Sequence, residues 1–392
     1  VKLPVQPWAA TPAGAALLAA LEAGAGATRL VGGAVRDALL GLEGADIDLA
    51  TRLTPEAVMA RVTAAGLKAV PTGLAHGTVT VVAPGLRVEV TTLRRDLATN
   101  GRHAEVAFTD DWQEDASRRD FTINALYATL PGGEISDFFG GLDDLAARRV
   151  RFIGAPLQRI AEDHLRILRF FRFSARFAAE IDADGLAACT ARANDLMALS
   201  RERIATELRG LLLVPDPAAT MALMAAQGIW RPVLPEIDAA GVARLALTIR
   251  AEVATATPPA WQRRLAALLP ADARVADAIG RRLHLSNADR IRIALAVVPQ
   301  AGPVWPAAWA DGAEAVVDRL LIAGDQGPEV AALRAWQRPK LPVSGRDLLA
   351  RGVAPGPQVA ALLGDFERAW VAAGFPDDPA TIAALMDRTM AG

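Results

Sequence analysis

The sequence predicts an α+β protein, with strands and helices mixed in its first 150 residues and helices throughout the rest. Two observations carry this reading. Short β-rich runs alternate with helical stretches before residue 150, whereas from Leu157 onward apolar residues recur at intervals of three and four. The first pattern suits strands with one buried face, and the second places side chains on one face of a helix.

In chain order, strands are expected at Thr28–Val31, Ile47–Ala50, Thr78–Val82 and Arg87–Thr92. Pro84-Gly85 joins the last two in hairpin spacing, and Pro131-Gly132-Gly133 marks a second hairpin. Residues 94–117 are polar and without sustained periodicity, which reads as a long functional loop. Helix breaks are expected near Asp182–Asp184, Pro215–Pro217, Pro232–Pro235, Pro258-Pro259, Pro303–Pro306 and Pro342. The composition shift sets divisions at 1–150, 151–214 and 215–392. No repeat of fixed period emerges. Trp230, Trp261 and Trp305 are read as core residues before stacking platforms for RNA bases.

The chain has 392 residues, 52% of them hydrophobic and 22% charged, a balance that excludes disorder and calls for two or more packed units. Charged residues, Gly or Pro interrupt every apolar stretch before roughly 18 residues accumulate, so no membrane span is expected. Pro12 and Glu22 spoil the Ala/Gly run of residues 13–27 as a secretory segment. The single cysteine, Cys189, excludes an internal disulfide framework and fits a cytoplasmic protein. A net charge of −2 offers nucleic acid no global attraction, so any RNA contact must come from a local patch.

Gly32 and Gly33, in Leu30-Val-Gly-Gly-Ala-Val-Arg-Asp37, stand where a strand ends and a helix begins. Backbone amides there can approach phosphates, with Arg36 one turn on, although a plain strand-to-helix turn has the same look. Asp46 and Asp48 flank Ile47, and alternate strand residues share a face. Two carboxylates side by side suit Mg²⁺, while exposed acids on an edge strand are the plainer alternative. Glu89, between Val88 and Val90, points away from both valines and becomes a third carboxylate if its strand neighbours that of Asp48. Other chemistries lack support. His76, His103, His164 and His284 are scattered without a His-Asp doublet, and neither a zinc site nor a Gly-x-Ser-x-Gly elbow occurs.

The ordered series GGAVRD, DID, HGTVTV, VEVTTLR, RRDFTINAL, DFFGGLDDL, EDHLRILRFFRF and RERIATEL, spanning about residues 29–213, resembles the class II tRNA nucleotidyltransferases, a family that includes CCA-adding enzymes and bacterial poly(A) polymerases. The resemblance implies a polymerase-beta-like nucleotidyltransferase head with a mixed sheet, followed by helical neck, body and tail. It implies that Gly33 and Arg36 contact the triphosphate and that Asp46 and Asp48 hold two Mg²⁺ ions, with Glu89 beside them. Arg119 and Asp120 then match the ribose- and phosphate-contacting motif, with Asn124 one turn on. Asp163, Arg166, Arg169 and Arg172 match the nucleotide-reading helix. Residues 94–117, including Arg95 and Asp96, resemble the loop that assists the switch from adding C to adding A.

The implied reaction is template-independent addition of CMP and AMP to the 3′ end of tRNA, with ATP and CTP as the other partners and neither membrane nor DNA. Asp163 and Arg166 would choose the base, since C and A both present an amino donor beside a ring-nitrogen acceptor. Within this class the alternatives are a poly(A) polymerase or an enzyme restricted to CC or to A addition. Outside it stands a non-catalytic RNA-binding protein.

Overall fold

The computed structural model describes residues 1–42, 44, 46–99 and 104–391, and for 96–99 and 104–106 it describes the backbone alone. His103 lies outside the described residues, as does the side chain of Asp96. The chain divides into two compact units, Val1–Val233 and Leu234–Gly392.

The first unit is built on nine strands: β1 (Thr28–Val31), β2 (Ile47–Thr51), β3 (Lys68–Gly73), β4 (Thr78–Ala83), β5 (Leu86–Thr92), β6 (Arg94–Thr99), β7 (Ala104–Phe108), β8 (Leu126–Thr129) and β9 (Ile135–Asp137). Seven form one sheet in the order β3-β4-β5-β2-β1-β8-β9. It is mixed: β2 pairs with β5 in parallel, and the other pairings are antiparallel. Alternation explains the faces, since Val79, Val81, Val88 and Val90 are buried while Arg87 and Glu89 between them are exposed. Each fully buried valine or leucine of this kind contributes roughly 1.5–3 kcal/mol. The expected hairpins are present, with Ala83 opposite Leu86 across Pro84-Gly85 and Thr129 preceding β9 across Pro131-Gly132-Gly133.

Two segments differ from the sequence reading. Strand β3 is not among the expected strands; it contains Pro71 and lies at the sheet edge, where a missing donor is tolerated. Residues 94–117 are not one long loop. They hold the antiparallel pair β6 and β7 and a helix, Trp112–Ser117, whose Trp112 and Ala116 pack with Val31, Ala50, Leu93 and Tyr127. Trp112 and Ala116 supply the helix's core side, and the polar residues between them hide the pattern.

Helices Pro156–Glu162, Arg166–Phe177, Ala183–Ala191, Arg201–Leu212 and Ala218–Ala226 complete the first unit, and the breaks fall where Asp182 and Pro215–Pro217 stand. Phe170 and Phe171 are fully buried, Phe173 nearly so, and Phe170 stacks on Phe152 at 5.4 Å. These rings pack the interior. Helix Arg166–Phe177 thus belongs to the same compact unit as the sheet.

The second unit is helical among the described residues, from Ala239–Ala254 to Pro379–Ala391. A buried ion cluster sits in its interior: Arg263 donates to Glu252 and Asp318, each at 2.7 Å, and Arg264 pairs with Glu252. Such charges are tolerated only because each is answered, and removal of one would leave the others uncompensated. Trp261 here and Trp230 in the first unit are buried, while Trp305 is half-buried against Trp336.

Candidate active site

Strand β1 ends at Val31, and Gly32 turns the chain with φ 65° into helix Gly33–Leu39. A methyl group on Gly32 would stand 3.2 Å from Arg119 Nη1 and 3.4 Å from the Asn124 carbonyl oxygen. Both the positive φ and the close approach therefore demand glycine at Gly32, more than at Gly33. The turn brings the first motif against Arg119 and Asn124, which lie some ninety residues on.

Arg36 rises from this helix and is buried. Its Nε donates to Asp37 at 2.7 Å, its Nη1 donates to Asn124 Oδ1, and its guanidinium lies 4.2 Å from the Phe177 ring. Asn124 Nδ2 in turn donates to Asp120 at 3.0 Å. Asp120 accepts from Arg169 Nε at 2.7 Å, and Glu207 accepts from Arg172 at 2.6 Å while lying 3.6 Å from Arg169. A continuous polar chain thus runs from Arg36 through Asn124, Asp120, Arg169 and Glu207 to Arg172. Burial alone would raise the Asp120 pKa, but Arg169, Asn124 and the Phe121 amide together hold it below the ordinary carboxylate range.

Arg119 is placed by Asp115, four residues before it, and by Tyr127, neither of which the sequence reading singles out. Its Nη2 is 3.1 Å from Asp115, its Nε donates to Tyr127 Oη at 3.1 Å, and Tyr127 donates to Asp115 at 2.6 Å. Asp115 also accepts from Arg118 and from the Arg94 amide. Burial works to raise its pKa, yet Arg119, Arg118 and the Tyr127 hydroxyl bring it down to about 2. Asp115 is therefore a permanent anion that aims Arg119 toward Gly32.

Asp46 precedes β2 and is exposed, whereas Asp48, within β2, is half-buried. Asp48 stands directly opposite Glu89 in the parallel β2–β5 pairing, so the neighbour relation expected for Glu89 is present. Burial, then repulsion by Glu89 and Asp46, raises Asp48 to about 6 against a lowering by Arg119. A half-buried carboxylate facing two others is costly without a cation. That donor set fits a hard divalent ion bound by one or two carboxylates and completed by substrate oxygens and water. Among the described residues no three His, Cys, Asp or Glu side chains form a closed cage. Glu89, with Arg87 at 3.8 Å, stands beside the aspartate pair and does not complete one.

The raised Asp48 pKa has a measurable consequence. Between about pH 4 and 6 the folded protein keeps a proton that the unfolded chain has released, so stability falls as pH rises through this window. Without divalent ions, Asp48→Asn is expected to melt at the parent's temperature near pH 4 and several degrees above it at pH 7.5. A difference that is the same at both pH values, by thermal unfolding followed by circular dichroism, would contradict the repulsion.

The expected base-reading pair is arranged differently from its spacing. The Asp163 carboxylate accepts from Arg203 Nη2 at 3.0 and 2.8 Å, while Arg166, buried, donates to Glu162 at 2.6 Å and to the Arg159 and Arg118 carbonyl oxygens at 2.8 and 2.9 Å. The guanidinium on Asp163 is thus that of Arg203, from helix Arg201–Leu212. Arg203 was missed as a site residue because its partner lies forty positions away; its place in the RERIATEL segment was the available signal.

Residues 28–151 match the poly A polymerase head domain, and residues 180–240 match a domain described as a probable RNA and SrmB-binding site of polymerase A. The chain is 35% identical over 363 residues to CCA tRNA nucleotidyltransferase 1, mitochondrial, of Danio rerio, covering 87% of this chain and 83% of that protein. It is 32% identical over 383 residues to the CCA-adding enzyme of Levilactobacillus brevis, covering 91% and 93%. Among solved structures, the Bacillus stearothermophilus CCA-adding enzyme in complex with CTP superposes with a TM-score of 0.74 at 29% identity, over 97% of this chain and 98% of that one.

Proposed function

Because this chain belongs to the CCA-adding tRNA nucleotidyltransferase family, we propose that it extends the 3′ end of tRNA with CMP and AMP, without a template, releasing pyrophosphate at each step. The observation that carries the reading is Asp48 paired with Glu89 across β2 and β5, with Asp46 two residues before it and Arg119 close enough to lower its pKa. A protein that only bound RNA would gain nothing from three mutually repelling carboxylates there.

The RNA 3′-hydroxyl attacks the α-phosphate in line with the departing pyrophosphate. Asp46 and Asp48 would hold two Mg²⁺ ions, whose chemistry at that place is to acidify the hydroxyl and neutralise the leaving group. Glu89 accepts the hydroxyl proton at a carboxylate oxygen, and its half-exposed position leaves that oxygen reachable. Gly32 and Gly33 let the triphosphate come close to the backbone. Arg119 supplies positive charge from a side chain fixed by Asp115 and Tyr127. Asp120 acts as a positioning residue, since both its oxygens are occupied by Arg169, Asn124 and the Phe121 amide. Asn124, bonded to Asp120 and Arg36, would read a ribose hydroxyl, donor and acceptor at once, and Arg36 adds positive charge for the triphosphate. Asp163 and Arg166 choose the base, and Arg169 and Arg172 extend the same helix surface.

On this reading residues 1–150 are the catalytic head, 151–214 the nucleotide-reading neck, and 215–392 a body and tail that bind RNA. The protein acts in the cytoplasm, a placement supported by its lone, buried cysteine; no helix among the described residues is long and apolar enough to cross a membrane.

Pyrophosphate release tests the catalytic reading. Release with CTP or ATP that requires a tRNA lacking its terminal CCA is expected; tight RNA binding with no release would leave a binding protein. RNA affinity should also be local and phosphate-driven, because the net charge is −2 while arginines crowd the neck. We expect it to fall at least about tenfold between 50 and 200 mM salt. Equal affinity at the two salt concentrations, measured by filter binding, would contradict a phosphate-led interface.

A further inference from the structure

Beside the catalytic corner the first unit holds a cavity of about 760 Å³, of whose lining only Arg36 and Arg172 enter the reading above. Arg36, Arg148, Arg172 and Arg176 line it together with exposed Leu40 and Leu213, and no carboxylate does among the described residues. Gly33, Asp46, Asp48, Arg119 and Asp120 lie outside its lining.

Three of the guanidiniums are laid over phenylalanine rings: Arg36 4.2 Å and Arg176 4.9 Å from Phe177, and Arg172 4.7 Å from Phe173. Stacking fixes their planes, and the edges not already held by Asp37, Asn124 and Glu207 can donate. Asp37 answers Arg36 at 2.7 Å and Arg176 only at 3.5 Å, and Glu207 answers Arg172. Arg148 meets no carboxylate among the described residues. The cavity is therefore left with positive charge and an apolar wall. A ligand matching both has a flat apolar part and about one negative charge, and the volume lies in the range of small-ligand sites.

We propose that this cavity seats the 3′-terminal nucleotide of the RNA, its base against Leu40 and Leu213 and its 5′-phosphodiester on Arg148 and Arg176. This rests on the function proposed above. An incoming triphosphate carries more charge than Arg148 and Arg176 can answer and belongs with the carboxylates that lie outside the cavity. The lining also explains an otherwise awkward requirement. Each addition changes the base at the RNA end, so its seat must not read bases. Every side chain in the lining is arginine or apolar, and none offers a hydrogen-bond acceptor. Arg36, shared between this cavity and the Asn124–Asp120 network, is the wall between the RNA end and the incoming nucleotide.

The test uses the full chain with tRNA lacking CCA, and CMP incorporation by the parent is read first. Absence of incorporation would fail the functional reading itself. With an active parent, Arg148→Glu and Leu213→Asp, both at exposed positions, are expected to raise KM for the RNA about tenfold or more. KM for CTP should stay within about twofold, because the carboxylates introduced face a phosphodiester. An unchanged RNA KM would overturn the proposal, and so would a rise confined to KM for CTP, which would assign the cavity to the incoming nucleotide. A second measurement needs no variant. RNA carrying a photoreactive 4-thiouridine at its 3′ end should attach to the unsubstituted protein within residues 145–148 or 210–215, and attachment solely elsewhere would overturn the assignment.

Discussion

Replacing Asp48 with alanine is expected to lower turnover at least about a thousandfold, roughly 4 kcal/mol of transition-state stabilisation, and replacing Asp46 should do the same. Both side chains belong to one end of β2, and Asp48 faces Glu89 across the sheet. Neither carboxylate supports the fold, since no ion pair or hydrogen bond in the first unit depends on it among the described contacts. The fold should therefore survive, and Asp48→Asn should even gain stability at neutral pH. RNA affinity should stay within about threefold of the parent, because the arginines proposed to meet its phosphates lie elsewhere. Turnover within tenfold of the parent for both alanine variants, with intact melting curves, would remove these residues from catalysis.

The second large effect is on choice of base. Asp163→Ala and Arg166→Ala are each expected to narrow the advantage of CTP and ATP over UTP and GTP by about ten- to a hundredfold, the cost of one or two unpaired buried groups at about 1–3 kcal/mol each. A carboxylate accepts from the amino group of C or A, and a guanidinium donates to the neighbouring ring nitrogen. U and G reverse that order. Arg166 must exchange bonds with Glu162 and the Arg118 carbonyl to reach a base, and Asp163 must share a carboxylate that already accepts from Arg203 and the Leu165 amide. Arg166→Ala, at a buried position, should consequently lower stability as well as selectivity, and Asp163→Ala, in a partly exposed pair with Arg203, should lower stability less. Arg209→Ala, farther along helix Arg201–Leu212, should leave base preference untouched. Ratios of kcat/KM for the four nucleotides decide this, and unchanged ratios in both variants would place selection elsewhere.

The strands flanking the site were legible because their cores are β-branched and their turns carry Pro-Gly or Gly-Gly. The alternation around Glu89 even identified which face it takes. What spacing could not reveal were pairings over long stretches of chain. Tyr127 reaches Asp115 and Arg119 only after the chain has turned at Phe121, and Arg203 reaches Asp163 only when two helices pack side by side. Strand β3 and the β6–β7 pair escaped notice for another reason. One runs along an edge and tolerates Pro71, and in the other β6 opens on three charged residues while β7 ends on Val106-Ala107-Phe108, so neither displays the alternation that a covered strand must have. The first motif was read at Gly33, yet the backbone requirement falls on Gly32, where the positive φ and the Arg119 side chain coincide.

The most direct test is the sequence of the product's 3′ end. A tRNA transcript ending at the position before CCA is incubated with the protein, Mg²⁺, CTP and ATP, and the extended ends are sequenced. Addition of C, C and A in that order, then arrest, is the expected result, with both Asp46→Ala and Asp48→Ala inactive in parallel. A run of A residues formed without need of CTP, or ends that remain unextended, would contradict the account.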